Sequence, residues 1–150
     1  MIAATAGHVD HGKTELIKAL TGIDTDQLPE EKARGLSVDL GFAYKALPNL
    51  GMLGFVDVPG HEKFIRNMLV GVVGIDLGLL AVAADDGVMP QTREHLAIFN
   101  LLGIEKCLVA LTKTDRVQPE RINEVQLQLK QFLADAGDEG CAGYPICARR

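Results

Sequence analysis

The sequence lacks tryptophan and has few other aromatic residues, which together make up 5% of the chain. Proteins that hold single-stranded nucleic acid stack bases on aromatic side chains, so no such platform is expected. A basic excess is also absent, because fifteen Lys and Arg residues stand against twenty Asp and Glu residues, giving a formal charge of −5. This balance argues against broad binding of nucleic acid phosphates. It remains compatible with a partner that carries nucleic acid and docks locally.

Cysteine is scarce, and apolar runs are short. Cys107, Cys141 and Cys147 are odd in number and lack zinc-ligand spacing, which favours buried free thiols in a reducing compartment. No apolar run reaches the length of a membrane span, and the N-terminus lacks the basic flank and apolar core of a signal peptide. These absences predict a cytoplasmic protein without membrane contact.

The 150 residues include 47% hydrophobic and 23% charged residues, which is typical of one globular domain with a real core. We expect residues 1–150 to form a single, monomeric domain. The last predicted strand lies at 144–148, where a sheet of this kind normally gains one more covering helix. The expected fold therefore lacks its last helix, and the chain is expected to be a fragment of a longer multidomain protein.

Apolar runs alternate with segments of helical spacing. Strands are predicted at 1–6, 77–84, 107–111 and 144–148, and a hairpin joins 42–44 to 52–56. Helices are predicted at 13–20, 64–73, 91–102 and after Pro119. This alternation predicts a doubly wound, mostly parallel α/β sheet with helices on both faces.

A phosphate-binding motif follows the first predicted strand. Residues 7–14 match G-x-x-x-x-G-K-S/T, in which backbone N–H groups and a helix N-terminus face a phosphate. Lys13 would neutralise the β- and γ-phosphates, and the Thr14 hydroxyl would ligate Mg²⁺. His8 and His11 also have the spacing of a metal pair, but no further ligand cluster lies nearby in sequence. The predicted nucleotide-binding residues here are Gly7, His8, Val9, Asp10, His11, Gly12, Lys13, Thr14 and Glu15.

Two further motifs end apolar strands. Asp57 lies where a carboxylate holds Mg²⁺ through water, and Gly60 would offer its N–H to the γ-phosphate. Thr112, Lys113 and Asp115 belong to the second motif, T-K-T-D. A buried carboxylate at Asp115 would accept hydrogen bonds from N1–H and the 2-amino group of guanine. Adenine has neither donor, so this motif predicts guanine specificity.

Four segments resemble those of translational GTPases: residues 7–14, R-G-L-S at 34–37, D-V-P-G-H at 57–61 and Q-T-R-E-H at 91–95. Three further details resemble the selenocysteine-specific branch of that family. They are V-D-L-G-F-A at 38–43, H-E-K-F-I-R-N-M-L at 61–69, and Thr112 in place of asparagine. The likeness is weaker after about residue 117. It implies a P-loop GTPase fold that binds GTP or GDP with Mg²⁺.

The resemblance also assigns roles. It implies that residues 21–40 form the first switch loop, with Ser37 on Mg²⁺ when a γ-phosphate is present. His61 would orient the attacking water behind an apolar gate of Val9 and Leu36, and hydrolysis would be slow without the ribosome. Cys147 and Ala148 would form the last guanine-contacting loop. Selenocysteinyl-tRNA and an mRNA hairpin would bind through domains beyond this chain.

Several residues depart from the family pattern. Glu15 and Cys147 stand where hydroxyl residues are usual, and Ser37 replaces threonine. The Glu15 carboxylate is expected to weaken binding near an α-phosphate. Asp10, an acid inside a phosphate loop, would either hold a monovalent cation against the nucleotide or cap its own loop backbone.

Three alternatives remain open from the sequence. The chain could belong to a translational GTPase that carries ordinary or initiator aminoacyl-tRNA, since the amino-acid pocket lies in other domains. It could be a P-loop kinase or ATPase, against which the T-K-T-D motif argues. It could also be a nucleotide-binding module without catalysis.

Overall fold

The computed structural model describes residues 1–25, 40–49, 51–58, 74–137 and 142–145. Strands and helices alternate through most of these segments. A short 3-10 turn, Thr114–Arg116, follows the fifth strand. In chain order the elements are β1 Ile2–Ala6, α1 Lys13–Thr21, β2 Gly41–Leu47, β3 Gly51–Asp57, β4 Leu77–Ala83, α2 Pro90–Leu101, β5 Cys107–Thr112, α3 Pro119–Asp135 and β6 Ala142–Pro145.

The strands form one six-stranded sheet in the order β2-β3-β1-β4-β5-β6. Strand β2 runs antiparallel to β3, whereas β3, β1, β4, β5 and β6 are parallel. The predicted doubly wound, mostly parallel sheet is thus confirmed. After β1 the chain adds β2 and β3 on one side of β1, and then β4, β5 and β6 on the other side. The sheet therefore has its switch point at β1. Ligands of such sheets bind at the carboxyl ends of the strands beside that point.

Helices cover both faces of the sheet, as predicted. On one face, Leu96 and Phe99 of α2 pack with Val125 and Leu129 of α3 over the central strands. On the other, a smaller core contains Ile17 of α1 together with residues of β2, β3 and β4. None of the helices in the described segments has the length and apolar character needed to cross a bilayer. The two cores hold the carboxyl ends of β1, β3 and β5 in fixed relation.

Most predicted elements lie within two residues of their observed bounds. The hairpin of β2 and β3 is confirmed, and Gly103 ends α2 with a left-handed φ of 70°. The predicted strand at 144–148 corresponds to β6, which is described over Ala142–Pro145, and residues 146–148 lie outside the described residues. The predicted helix at 64–73 lies outside the described residues. Cys107 is buried, as expected, and no disulfide to it is seen among the described residues, whereas Cys141 and Cys147 are not described.

Replacing Gly78 with alanine is expected to destabilise the chain by about 1–3 kcal/mol. An added Cβ would lie 2.6 Å from Cε2 of Phe99, so α2 would have to shift away from β4. The free energy of unfolding in urea measures the change. Gly54→Ala is the matched control, because its Cβ would meet only Ile2 Cγ1 at 3.8 Å. Equal losses in the two variants would contradict tight packing at Gly78.

Candidate nucleotide site

The chain curls tightly between β1 and α1. Gly7 has a φ of 130°, and a Cβ there would lie 2.2 Å from the Ala81 carbonyl oxygen, so this position requires glycine. Asp10 and Gly12 also have positive φ values, 61° and 79°. Gly12 is the N-cap of α1 and, as a glycine, has no side chain to bond the first N–H groups of that helix. The loop therefore leads directly to a helix N-terminus, as an anion site requires.

The Lys13 ammonium lies across this loop. The residue is 6% exposed, and Nζ donates to the carbonyl oxygens of Gly7 at 3.1 Å and His8 at 2.8 Å. These bonds place a positive charge beside the backbone that is predicted to face the phosphates. The role of Lys13 at the β- and γ-phosphates stays a prediction.

Thr14 and Asp57, two of the three residues predicted to hold Mg²⁺, are in direct contact. Asp57, at the end of β3, is 1% exposed, and its Oδ2 accepts a hydrogen bond from Thr14 Oγ1 at 2.7 Å. Its Oδ1 accepts one from Thr5 Oγ1 at 2.8 Å, and Thr5 Oγ1 accepts the N–H of Val58 at 3.0 Å. Hydroxyl and carboxylate oxygens form the hard donor set that Mg²⁺ prefers.

This donor set fits Mg²⁺ only together with a nucleotide. The described segments contain no group of three or more His, Cys, Asp or Glu side chains that could hold a metal alone. Mg²⁺ typically binds through one or two carboxylates, waters and substrate phosphates. Thr14 and Asp57 supply the protein part of such a site.

The T-K-T-D motif is tied to the phosphate loop. Thr112 Oγ1, at the end of β5, donates to the His11 carbonyl oxygen at 2.6 Å. Lys113 has a left-handed φ of 54°, and its Nζ lies 3.7 Å from Asp85 Oδ2. Asp115 lies on the 3-10 turn and is exposed, so the expectation of a buried carboxylate is wrong for the protein alone. The turn leaves the carboxylate accessible from solvent, where a base can reach it.

Helix α2 contacts the phosphate loop through two polar side chains. The N–H of Gly7 donates to His95 Nδ1 at 2.8 Å, and the His8 ring is hydrogen-bonded to Gln91 Oε1. Gln91 and His95 lie one helical turn apart, on one face of α2. Both residues belong to the Q-T-R-E-H segment, and the sequence predicted no individual role for either. Their spacing was the signal that pointed to a shared face.

The rings of His8 and His11 contact each other and bond to different partners. Their rings meet edge to face, with centroids 5.1 Å apart. The His8 ring bonds to Gln91, whereas His11 Nδ1 lies 3.4 Å from the Ala81 carbonyl oxygen. The phosphate-loop interpretation is therefore favoured over the metal pair.

Stability is expected to fall as pH falls from about 6.5 to 4. Burial lowers the pKa of His11 and of His95 from 6.5 to about 4, so the unfolded chain binds more protons in this range. Each histidine then contributes a slope of about 1.4 kcal/mol per pH unit. Urea unfolding across this range measures the slope. His95→Asn, which keeps an acceptor near the Nδ1 position, should reduce it; an unchanged slope would contradict the assignment.

Both unusual acidic residues, Asp10 and Glu15, lie within the described residues. Glu15 lies in the first turn of α1 with its side chain exposed. Asp10 is also exposed, and within the described residues its carboxylate has no hydrogen-bond partner. Capping of its own loop backbone is therefore not observed. Val9 of the implied gate is partly buried, and its partner is not described. The predicted residues that lie outside the described segments are Leu36, Ser37, Gly60, His61, Cys147 and Ala148.

Comparison with known proteins identifies the family. Residues 1–148 match the family described as the elongation factor Tu GTP binding domain. The chain belongs to this family. As a G domain of the translational GTPases, it shares a fold that generally binds GTP or GDP with Mg²⁺ and hydrolyses GTP. The family expected from the sequence motifs is thereby confirmed.

Individual relatives of this G domain are selenocysteine-specific factors and an initiation factor. The selenocysteine-specific elongation factor of Escherichia coli K12 is 61% identical over 137 residues, which cover 91% of this chain and 22% of that protein. The translation initiation factor 2 subunit gamma of Thermococcus onnurineus is 38% identical, covering 95% of this chain and 40% of that subunit. The G domain thus spans about a fifth of the bacterial factor's length.

Two solved structures share the fold. The crystal structure of a bacterial selenocysteine-specific elongation factor has a TM-score of 0.94 and 46% identity, covering 99% of this G domain and 25% of that chain. Translation elongation factor SelB from Methanococcus maripaludis, solved with the GTP analogue GppNHp, has a TM-score of 0.84 and 32% identity, with coverage of 99% and 30%. Both support a SelB-like translational GTPase G domain.

Proposed function

We propose that this chain is the GTP-hydrolysing switch of an elongation factor that delivers selenocysteinyl-tRNA to the ribosome at recoded stop codons. The observation that carries the proposal is the bond between Thr14 and Asp57, in which Thr14 directly follows the buried Lys13. The names of the relatives support the more specific role. The proposal treats residues 1–150 as one G domain of a longer factor that acts as a monomer in the cytoplasm.

Different residues are assigned to phosphate binding, to Mg²⁺ binding and to orientation of the attacking water. Backbone N–H groups of residues 7–15 bind the phosphates, and Lys13 balances their charge. Thr14 and Asp57 would hold Mg²⁺, joined by Ser37 when the γ-phosphate is present. When bound, the metal would supply positive charge against the phosphates, because phosphoryl transfer depends on positioning and electrostatic stabilisation. Gly60 donates its N–H to the γ-phosphate, and His61 orients the attacking water.

Guanine recognition is assigned to the loops after β5 and β6. Asp115 accepts hydrogen bonds from N1–H and the 2-amino group, while the Lys113 stem lies along the base. Thr112 holds the turn against the phosphate loop through its 2.6 Å bond to the His11 carbonyl oxygen. Cys147 and Ala148 complete the base site. The ribosome, selenocysteinyl-tRNA and an mRNA hairpin are the proposed partners, the RNA ligands being bound by domains beyond this chain.

A titration with GDP, GTP and ADP tests the proposal. Ligands that bind only the folded state raise the melting temperature by mass action. GDP and GTP with Mg²⁺ should raise it, and ADP should not. Equal shifts with ADP would support a P-loop ATPase or kinase instead. If the full-length factor released no phosphate when ribosomes were added, the result would support a nucleotide-binding module without catalysis.

A translational GTPase that carries initiator tRNA is the second candidate. The 38% identity to the initiation factor subunit over nearly the whole chain supports it. The 61% identity to the bacterial selenocysteine-specific factor favours the first candidate. Binding of selenocysteinyl-tRNA against initiator tRNA by the full-length factor separates the two.

We further propose a monovalent cation between Asp10 and the nucleotide. The exposed Asp10 carboxylate, without a hydrogen-bond partner among the described residues, supports this site. A cation there would supply positive charge toward the phosphates. Hydrolysis should be faster in potassium than in a bulky organic cation at equal ionic strength. Equal rates would contradict the cation site, and Asp10→Asn should remove the dependence.

A further inference from the structure

A third hydroxyl reaches the Asp57 carboxylate. Thr25, four residues after the end of α1, is 5% exposed, and its Oγ1 donates to Asp57 Oδ2 at 2.6 Å. Thr14 Oγ1 donates to the same oxygen at 2.7 Å. Both distances are typical of strong hydrogen bonds to an ionised carboxylate. Thr25 belongs to none of the sequence motifs, so the sequence predicts no role for it.

Strand β2 makes room for this contact. Gly41 is the first residue of β2 and pairs with Asp57 across the sheet. A Cβ at Gly41 would lie 2.5 Å from the Thr25 Cβ and 3.0 Å from the Thr25 carbonyl oxygen. The absence of a side chain at Gly41 thus allows Thr25 to pack directly over the end of β3. The contact is part of a buried site built from three segments of the chain, namely the residues after α1, β2 and β3.

The three hydroxyl donors fix the orientation of the carboxylate. A carboxylate offers about four acceptor positions. Thr5 takes one on Oδ1, while Thr14 and Thr25 take two on Oδ2. Oδ2 is therefore held by two donors, one on α1 and one in the segment that follows this helix. Loss of either donor would leave a buried anion with fewer partners and freer to rotate.

We propose that Thr25 is a positioning residue for the Mg²⁺ site. This inference rests on the proposed function, in which Asp57 and Thr14 hold Mg²⁺ against the nucleotide. Thr25 does not act on the phosphates but keeps Asp57 in the orientation that the metal requires. Groups that orient metal ligands in this way typically change metal affinity by 10- to 100-fold when removed.

The test compares Thr25→Val, which removes the hydroxyl at nearly constant shape, with Thr25→Ser, which keeps it. GDP affinity is measured as a function of free Mg²⁺, and the melting temperature is measured without nucleotide. Thr25→Val should raise the Mg²⁺ concentration for half-maximal GDP binding by about 10- to 100-fold. Thr25→Ser should stay close to the unaltered chain. Thr21→Val is the control, because the Thr21 hydroxyl bonds to the Ile17 carbonyl oxygen rather than to Asp57.

A second variant tests the same contact without removing the hydroxyl. Gly41→Ala should displace Thr25 and raise the Mg²⁺ requirement in the same direction. Combined with Thr25→Val, it should add less than the sum of the two separate effects. If Thr25→Val failed to fold, the Mg²⁺ requirement of Gly41→Ala alone would test the proposal.

Two results would overturn the inference. One is a lower melting temperature in Thr25→Val or Gly41→Ala with an unchanged Mg²⁺ dependence, which would show a purely structural role. The other is a shift no larger than that of Thr21→Val. If the unaltered chain bound no GDP at any Mg²⁺ concentration, the proposed function would fail first, and the inference with it.

Discussion

Replacing Asp115 with asparagine should lower GDP affinity by on the order of 10³-fold or more. The carboxylate would accept hydrogen bonds from N1–H and the 2-amino group of guanine, whereas the asparagine amide presents its own N–H donors to one of them. Sites built on such polar pairs discriminate by about 10⁴–10⁵ when a partner is lost. Calorimetric titration with GDP measures the loss.

Binding of a xanthine nucleotide separates loss of guanine recognition from loss of folding, because unfolding of the variant could not raise its affinity for XDP. Xanthine carries a carbonyl group where guanine carries its 2-amino group, so the asparagine amide can donate to it. Asp115→Asn should therefore bind XDP more tightly than the unaltered chain does. Asp135→Asn, at the end of α3, is the control for loss of one negative charge. Unchanged preference for GDP over XDP would refute guanine recognition by Asp115.

The sequence predicted those parts of the site that depend on local patterns. Gly7, Gly12 and Lys13 form a motif whose backbone requirements follow from neighbouring residues. Asp57 and Thr112 were found because each ends an apolar run, and parallel strands bring their carboxyl ends to one edge. The contact between Thr14 and Asp57 follows from that arrangement.

The residues that the sequence analysis missed make contacts across long stretches of chain. Thr25 reaches Asp57, and His95 reaches the backbone of Gly7, only after the sheet and α2 are assembled. Neither residue differs in local pattern from an ordinary loop threonine or helix histidine. The exposure of Asp115 was also not predictable, because it depends on the 3-10 turn that follows β5.

Helix α2 illustrates why such contacts matter for the site. His95 accepts the N–H of Gly7, so the first peptide of the phosphate loop is oriented from outside the motif. Gly7 itself cannot carry a side chain, because of the Ala81 carbonyl oxygen on β4. The loop's shape therefore depends on its glycine and on two packed elements. A G-x-x-x-x-G-K-S/T motif that lacked contacts equivalent to those of His95 and Ala81 would therefore be a weaker predictor of phosphate binding.

Replacing His61 with alanine should reduce ribosome-stimulated GTP hydrolysis by about 10²–10⁴-fold, the range for a side chain that positions or transfers a proton in the transition state. Affinity for GDP and GTP should change little, because His61 is assigned to the attacking water and not to the nucleotide. Phosphate release under multiple turnover, with ribosomes and the full-length factor, measures the rate.

His61→Gln separates water orientation from other roles of the imidazole. A glutamine amide can orient an attacking water in related phosphoryl transfer, so this variant should keep more activity than His61→Ala. Equal losses in both variants would mean that the imidazole supplies something an amide cannot, such as a positive charge near pH 6.5. An unchanged rate in His61→Ala, with normal nucleotide binding, would contradict the assignment of His61. The ribosome would then have to supply the group that orients the water.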